Sequence, residues 1–447
     1  MSTPPHDHTV LKAVFYGGLQ RATVIIFGML TTMVLAHWAV TPHQMGIWSL
    51  YLIVAAFVEI VRHGLVKNSV IKYLNTSTAA ERPFVLGASL VLNILITLAV
   101  AAVIFFCTPL LVRVLKAPEL RPMLYWNNLA LLSLIPFSHF EWLMLSQLNL
   151  KHLFWTYVVR QSVTLLLLLV PLVLGQQVSL NALVIYYAAG ILSGALVAYF
   201  FYRHRSAHLA VPPRAWLLRL FHFGKYAFGT NMSNLVMRST DSFVVSNLLT
   251  TAIVAQQGIA LRIFNMVDIP SQLIGDILFP KTAHLSAQDK GHVKFYFEKS
   301  SGAVLAVVLP LALVVFLLAE WTIWLLAGTQ YLNAAPYLRC MMLASIVLCF
   351  LKQYGTITDA IGRPRTNFLV TTGMAVVNVG LCFFWVSRFG LIGAAYSFII
   401  TSLLAFAITQ HLLWREFGVN VFNSLRYAAG FYPQMGKLVQ QKLFSHA

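Results

Sequence analysis

Charged side chains are scarce in this chain. They make up 10% of 447 residues, only 13 of them acidic, where soluble domains carry roughly a quarter. Together with 59% hydrophobic residues and a mean hydropathy of +0.76, this excludes an ordinary soluble domain and points to a polytopic membrane protein. Cysteine is also rare. Cys107, Cys340, Cys349 and Cys382 all fall in apolar stretches without CxxC spacing, so neither a disulfide framework nor a thiolate metal site is indicated. The 14 histidines are scattered singly, and no metal or cofactor is expected. Long hydrophilic loops are missing too, which disfavours a membrane-bound glycan polymerase or ligase, since such an enzyme needs a substantial loop carrying carboxylates or histidines.

What the chain has instead is a series of twelve apolar stretches near the ~20 residues that cross a bilayer. They run over 13–36, 44–66, 84–107, 123–146, 153–174, 180–202, 223–247, 252–279, 301–327, 333–356, 366–386 and 391–414. The first lacks a small-residue cleavage site and leads straight into the second, so it is expected to be retained. The predicted fold class is all-α and polytopic, with two six-helix halves around a central cavity. A first half covers 1–202, a basic linker 203–222, a second half 223–415 and a tail 416–447. Recurrence of the span pattern at an offset of 212 residues supports this division, and an even number of spans leaves both halves in one orientation.

Of the 31 Lys and Arg residues, 21 lie in the N-terminal tail, the even-numbered connections and the C-terminal tail, against four in the odd-numbered connections. The positive-inside rule then predicts cytoplasmic termini. It also accounts for most of the net charge of +18 without a nucleic-acid partner, and none is expected.

The seventh and eighth stretches carry charge where a spanning helix tolerates it least. Arg238 and Asp241 lie deep in the first, and Arg262, Asp268 and Asp276 in the second. Each such residue costs about 2.5–3.5 kcal/mol at a helix centre on insertion scales, so it persists facing a wet cavity or a partner. Pro270, two residues after Asp268, is expected to kink its helix. Guanidinium groups bind phosphate oxygens in bidentate fashion at any working pH. Amides such as Asn231 and Asn265 suit sugar hydroxyls, or equally bonds between helices. Asp241 and Asp268 are candidates for a coupling proton or cation. The competing structural readings are buried Arg238–Asp241 and Arg262–Asp268 ion pairs. Arg62 and Lys352, read as lying near span ends, are expected to snorkel. Glu59 is placed to pair with Arg62 at i+3, Arg160 is structural or snorkelling, and Glu320 and Arg339 are interfacial.

Twelve spans in two halves, the ending Phe279-Pro280-Lys281 of the eighth span and the turn Ala360-Ile361-Gly362-Arg363-Pro364 together resemble the polysaccharide flippase branch of the multidrug/oligosaccharidyl-lipid/polysaccharide exporter superfamily. That resemblance implies a non-enzymatic transporter in the bacterial inner membrane that flips an undecaprenyl-diphosphate-linked oligosaccharide by alternating access. It implies a cationic cavity from the first, second, seventh and eighth spans, and H+ or Na+ as a possible coupling ion. Carried onto this sequence it points to Arg21, Glu59, Arg238, Asp241, Arg262 and Asp268; of these the arginines, together with the amides Asn231 and Asn265 read from their chemistry, are the candidates for substrate, and Glu59, Asp241 and Asp268 those for coupling. The lipid II flippases of the same superfamily have two further spans. The rival reading within the class is a cation-coupled exporter of small amphiphiles, whose cavity would be neutral or acidic.

Overall fold

The computed structural model describes residues 7–147, 149–202, 210–282, 289–361 and 363–444. The side chains of residues 7–15, 224–227 and 434–444, and of single positions including Asn231, Arg238, Asp276 and Phe279 to Lys281, lie outside that description. Most of the described residues are α-helical and none is in a strand. The helices are α1 (Asp7–Val34), α2 (Pro42–Arg62), α3 (Asn68–Thr76), α4 (Arg82–Leu115), α5 (Leu120–Ser146), α6 (Leu150–Val173), α7 (Leu180–Tyr202) and α8 (Arg214–Leu248). They continue with α9 (Thr251–Val267), α10 (Ile269–Thr282), α11 (Lys290–Leu317), α12 (Ala319–Ala327), α13 (Ala335–Ala360), α14 (Pro364–Phe389), α15 (Leu391–Phe417) and α16 (Val421–Phe444).

Ten helical stretches among the described residues are long and apolar enough to cross a membrane. They coincide with the first six and last four stretches read from the sequence, while α8 and the α9–α10 pair occupy the seventh and eighth. The protein is an all-helical, multi-pass membrane protein. Helices overrun the apolar stretches because a helix does not stop where hydrophobicity does. At 1.5 Å per residue the 28 residues of α11 reach about 42 Å, beyond the ~30 Å hydrocarbon core. The ninth expected span, 301–327, is corrected in this way: α11 already begins at Lys290 and ends at Leu317, and α12 is a separate short helix exposing Trp321 and Trp324. The eighth is corrected too, since α9 ends at Val267 and α10 starts at Ile269. Pro270 has no N–H to continue the ladder, so the break falls at Asp268.

The chain forms two compact units, Met1–Leu235 with Thr250–Ala255, and Val236–Leu249 with Gln256–Ala447. In the first, α5 packs on α7 and α4, and α6 on α1 and α7. Lipid tails are as apolar as leucine, so close approach rather than hydrophobicity selects these contacts. Gly190 and Gly194 form a GxxxG pair on α7. A Cβ at Gly190 would meet the Thr164 hydroxyl at 1.9 Å, and one at Gly194 would meet Phe137 at 2.9 Å and the Arg160 Cβ at 3.0 Å. In the second unit, α13 packs on α11, α15 and α10, and α14 on α15. The segment after residue 416, expected as a tail, includes α16 docked along α11: the Tyr432 hydroxyl donates to the Ala306 carbonyl at 2.7 Å, and a Cβ at Gly302 would clash with Ser424 and Tyr427 at 2.7 Å.

Candidate functional site

The first unit holds a polar network in the middle of apolar helices. Glu59 on α2 accepts a hydrogen bond from the Tyr187 hydroxyl of α7 at 3.3 Å. The Arg160 guanidinium of α6 donates to the same hydroxyl at 3.1 Å and lies 3.7 Å from the Glu59 carboxylate. Arg160 also stacks over Phe137, its guanidinium carbon 4.8 Å from the ring centre, a cation–π contact that gains strength where water is excluded. The Arg160 side chain is 9% exposed and that of Glu59 is 36% exposed, so the carboxylate is the open end of the pair. One layer on, the Tyr157 hydroxyl donates to Glu141 at 2.9 Å.

Arg62 does not snorkel. It is fully buried, and its guanidinium donates to the Thr97 hydroxyl (2.9 Å), the Asn93 side-chain oxygen (2.8 Å), the Leu134 carbonyl (3.0 Å) and the Ser138 hydroxyl (3.2 Å). The expected Glu59–Arg62 pairing is replaced by Glu59–Arg160. The reason is that the helix does not end at Arg62. It runs on through a π-helical turn, His63–Lys67, into α3, which leaves Arg62 mid-helix with acceptors from α4 and α5 around it. A π turn inserted in a helix often marks a functional position.

In the second unit the charge lies at the α9–α10 break. Asp268 is 5% exposed, accepts a bond from Gln272 at 3.2 Å and forms an ion pair with Lys352 of α13. Beside it the Gln353 amide donates to the Ser271 carbonyl at 3.3 Å, satisfying a backbone group near the break. Asp241 of α8 is 4% exposed and accepts from the Asn378 amide of α14 at 3.0 Å; Asn378 in turn accepts from the Thr401 hydroxyl of α15 at 3.2 Å. The Cys382 thiol also reaches Asp241. A buried carboxylate held in this way by an amide and a thiol can take up a proton or a small cation that accepts oxygen ligands.

Residues 34–336 match the polysaccharide biosynthesis protein family. The chain belongs to that family. Over 198 residues this family member is 25% identical to a Shigella flexneri protein named "Putative O-antigen transporter", covering 44% of this chain and 47% of the relative, so it spans about half that relative's length. Its fold is that of the superfamily expected from the sequence. It superposes on an inward-facing multidrug resistance MATE family transporter with a TM-score of 0.74 at 14% identity, covering 88% of this chain and 94% of the other. On the lipid II flippase MurJ, inward closed, the TM-score is 0.74 at 12% identity, with 93% and 90% covered.

Within this family member the residues singled out from the sequence are distributed as follows. Arg21 is exposed on α1. Arg262 is half-buried and Asn265 exposed on α9, three positions apart and therefore on one helical face. Arg238 and Asn231 lie on α8, with side chains outside the described ones. The competing structural reading of an Arg262–Asp268 ion pair is corrected, since Asp268 pairs with Lys352. Lys352 therefore does not snorkel, because it has a buried carboxylate within reach. Glu320 and Arg339 pair with each other at 2.9 Å and are both substantially exposed, in keeping with an interfacial position. Sequence reasoning missed Lys352, Tyr187 and Asn378 as partners. The signal available for Asn378 and Lys352 was a polar residue in an apolar run; for Tyr187 there was none.

Proposed function

We propose that this protein is a flippase that moves an undecaprenyl-diphosphate-linked oligosaccharide across the bacterial inner membrane by alternating access, driven by H+ or Na+, with both termini cytoplasmic. The observation that carries the reading is buried charge held in the spans of a polysaccharide biosynthesis family member that has the fold of transporters and a lipid flippase. An Arg160–Glu59 pair and the two acids Asp241 and Asp268 are costly inside a bilayer and are kept where ions or polar cargo pass. In this reading Arg21, Arg238 and Arg262 take the diphosphate, and Asn231 and Asn265 the first sugar. Glu59, Asp241 and Asp268 serve coupling, and no covalent chemistry is involved, so the protein is a transporter and not an enzyme.

The test is Arg→Ala and Arg→Lys at positions 238 and 262 in cells that report surface glycan. Alanine should stop glycan export while the protein remains in the membrane. Lysine should restore it only in part, because a point charge replaces a bidentate fork. Full export by both alanine variants would remove the diphosphate role. Export of a small cationic amphiphile that the same substitutions leave intact would favour a drug-type exporter instead.

A further inference from the structure

A second polar site lies in the second unit, away from the charged residues above. Where the apolar run of α15 ends, α11, the end of α15 and the start of α16 enclose an open cleft of about 540 Å³. Its lining includes Lys294, Gln410, His411, Trp414 and Phe422. At Gln410 both the amide nitrogen and the amide oxygen are buried without a hydrogen-bond partner among the described residues, an arrangement that costs roughly 1–3 kcal/mol per group unless a ligand or water completes it. Lys294 brings a positive charge from α11, and His411 a ring nitrogen from α15. Asn420 and Asn423 also line the cleft; the Asn420 backbone N–H (2.8 Å) and the Asn423 side-chain amide (3.0 and 3.1 Å) donate to Glu298. Glu298 is 3% exposed, enclosed by these donors, and is not among the residues that line the cleft.

The flanks give the occupant's second property. Trp414 is 64% exposed and Phe422 72% exposed, large rings placed where an apolar helix reaches its polar end. Aromatic side chains take that position at the headgroup level of a bilayer, and basic pockets between spanning helices bind anionic headgroups. We propose that this cleft is a binding site for the phosphodiester headgroup of an anionic phospholipid, with Lys294 and His411 on the phosphate, the Gln410 amide on headgroup oxygens, and Trp414 and Phe422 against the upper acyl chain. α16 would thereby be fastened to the bilayer surface by a lipid as well as to α11 by Glu298 and Tyr432.

Native mass spectrometry of the purified full-length protein, titrated separately with phosphatidylglycerol, phosphatidylcholine and inorganic phosphate, tests this. The wild type should retain phosphatidylglycerol in preference to phosphatidylcholine. Lys294→Ala should weaken it about fivefold, the effect of one basic residue at an anionic surface. Lys294→Arg should keep it, and Gln410→Glu, which preserves shape and adds a negative charge, should abolish the preference. Equal retention of the two lipids by the wild type, or unchanged phosphatidylglycerol binding by Lys294→Ala and Gln410→Glu, would overturn the proposal. Inorganic phosphate binding with the same dependence on Lys294 and Gln410 would make the cleft a free-anion site and overturn it equally. None of these readouts depends on glycan export, so the proposed transport activity and the lipid site can fail separately.

Discussion

Asp268 and Lys352 meet as an ion pair at the point where α9 gives way to α10. The pair joins a helix break to an unbroken helix, so it either fixes the bend or responds to its movement. Removing one member strands a buried charge, which typically destabilises by about 3–5 kcal/mol. Asp268→Asn and Lys352→Met are each expected to lower membrane abundance, and the double variant to recover it. Under the coupling role proposed for Asp268 the double variant still fails to export glycan. Immunoblotting of membranes beside a surface-glycan assay distinguishes recovery of the fold from recovery of transport.

Asp241 and Asn378 should behave differently, because their bond involves no ion pair. Asp241→Asn keeps the shape and hydrogen-bonding capacity while removing the ionisable group, so abundance is expected to stay near wild type. If Asp241 carries the coupling ion, transport into vesicles loses its dependence on the proton or sodium gradient. An unchanged gradient dependence in Asp241→Asn would exclude that role.

For the Glu59–Arg160–Tyr187 network the expected order of damage follows from burial. Arg160→Leu leaves Glu59 without its cation and removes the stacking on Phe137, so it should be the most harmful to abundance. Tyr187→Phe loses hydrogen bonds worth about 0.5–1.5 kcal/mol each and should be mild. Glu59→Gln, at the exposed end, is expected to leave abundance intact and reduce export. Thermal unfolding in detergent and export measured on the same variants check the ordering.

The α7 glycines give a prediction about packing alone. Gly194→Leu pushes a side chain into Phe137 and Arg160, and overpacking of this kind costs about 1–3 kcal/mol, occasionally more. Gly190→Val is expected to be at least as severe, since its first atom already meets the Thr164 hydroxyl. Gly175, where an added Cβ would meet nothing within 4 Å among the described residues beyond its own chain neighbours, has a positive φ of 69°. Gly175→Asn, which tolerates that backbone, should change little. Differential scanning fluorimetry of the three variants decides the comparison.

The sequence by itself determined that this chain is a polytopic helical membrane protein, roughly where ten of its twelve expected spans lie, and which charges are anomalous within them. Hydropathy accumulates over some twenty consecutive residues, and a proline without an N–H acts on its own helix, so the break at Asp268 was legible from Pro270. The helical period also makes i+3 neighbours visible, which is why Glu59–Arg62, Arg238–Asp241 and similar pairs suggested themselves. What only the tertiary structure decided is who holds each charge. Asp268 reaches Lys352 across 84 positions, Asp241 reaches Asn378 across 137 and Glu59 reaches Tyr187 across 128. Such partners depend on which faces two helices present and how closely small residues such as Gly190 and Gly194 let them approach. Arg62 shows the same limit in reverse: it reads as the end of a span, yet the helix continues past it, and four acceptors from α4 and α5 enclose it. Local physics sets the helices and their spans, while the pairing of buried charge is a property of their packing, which has no fixed period in the chain.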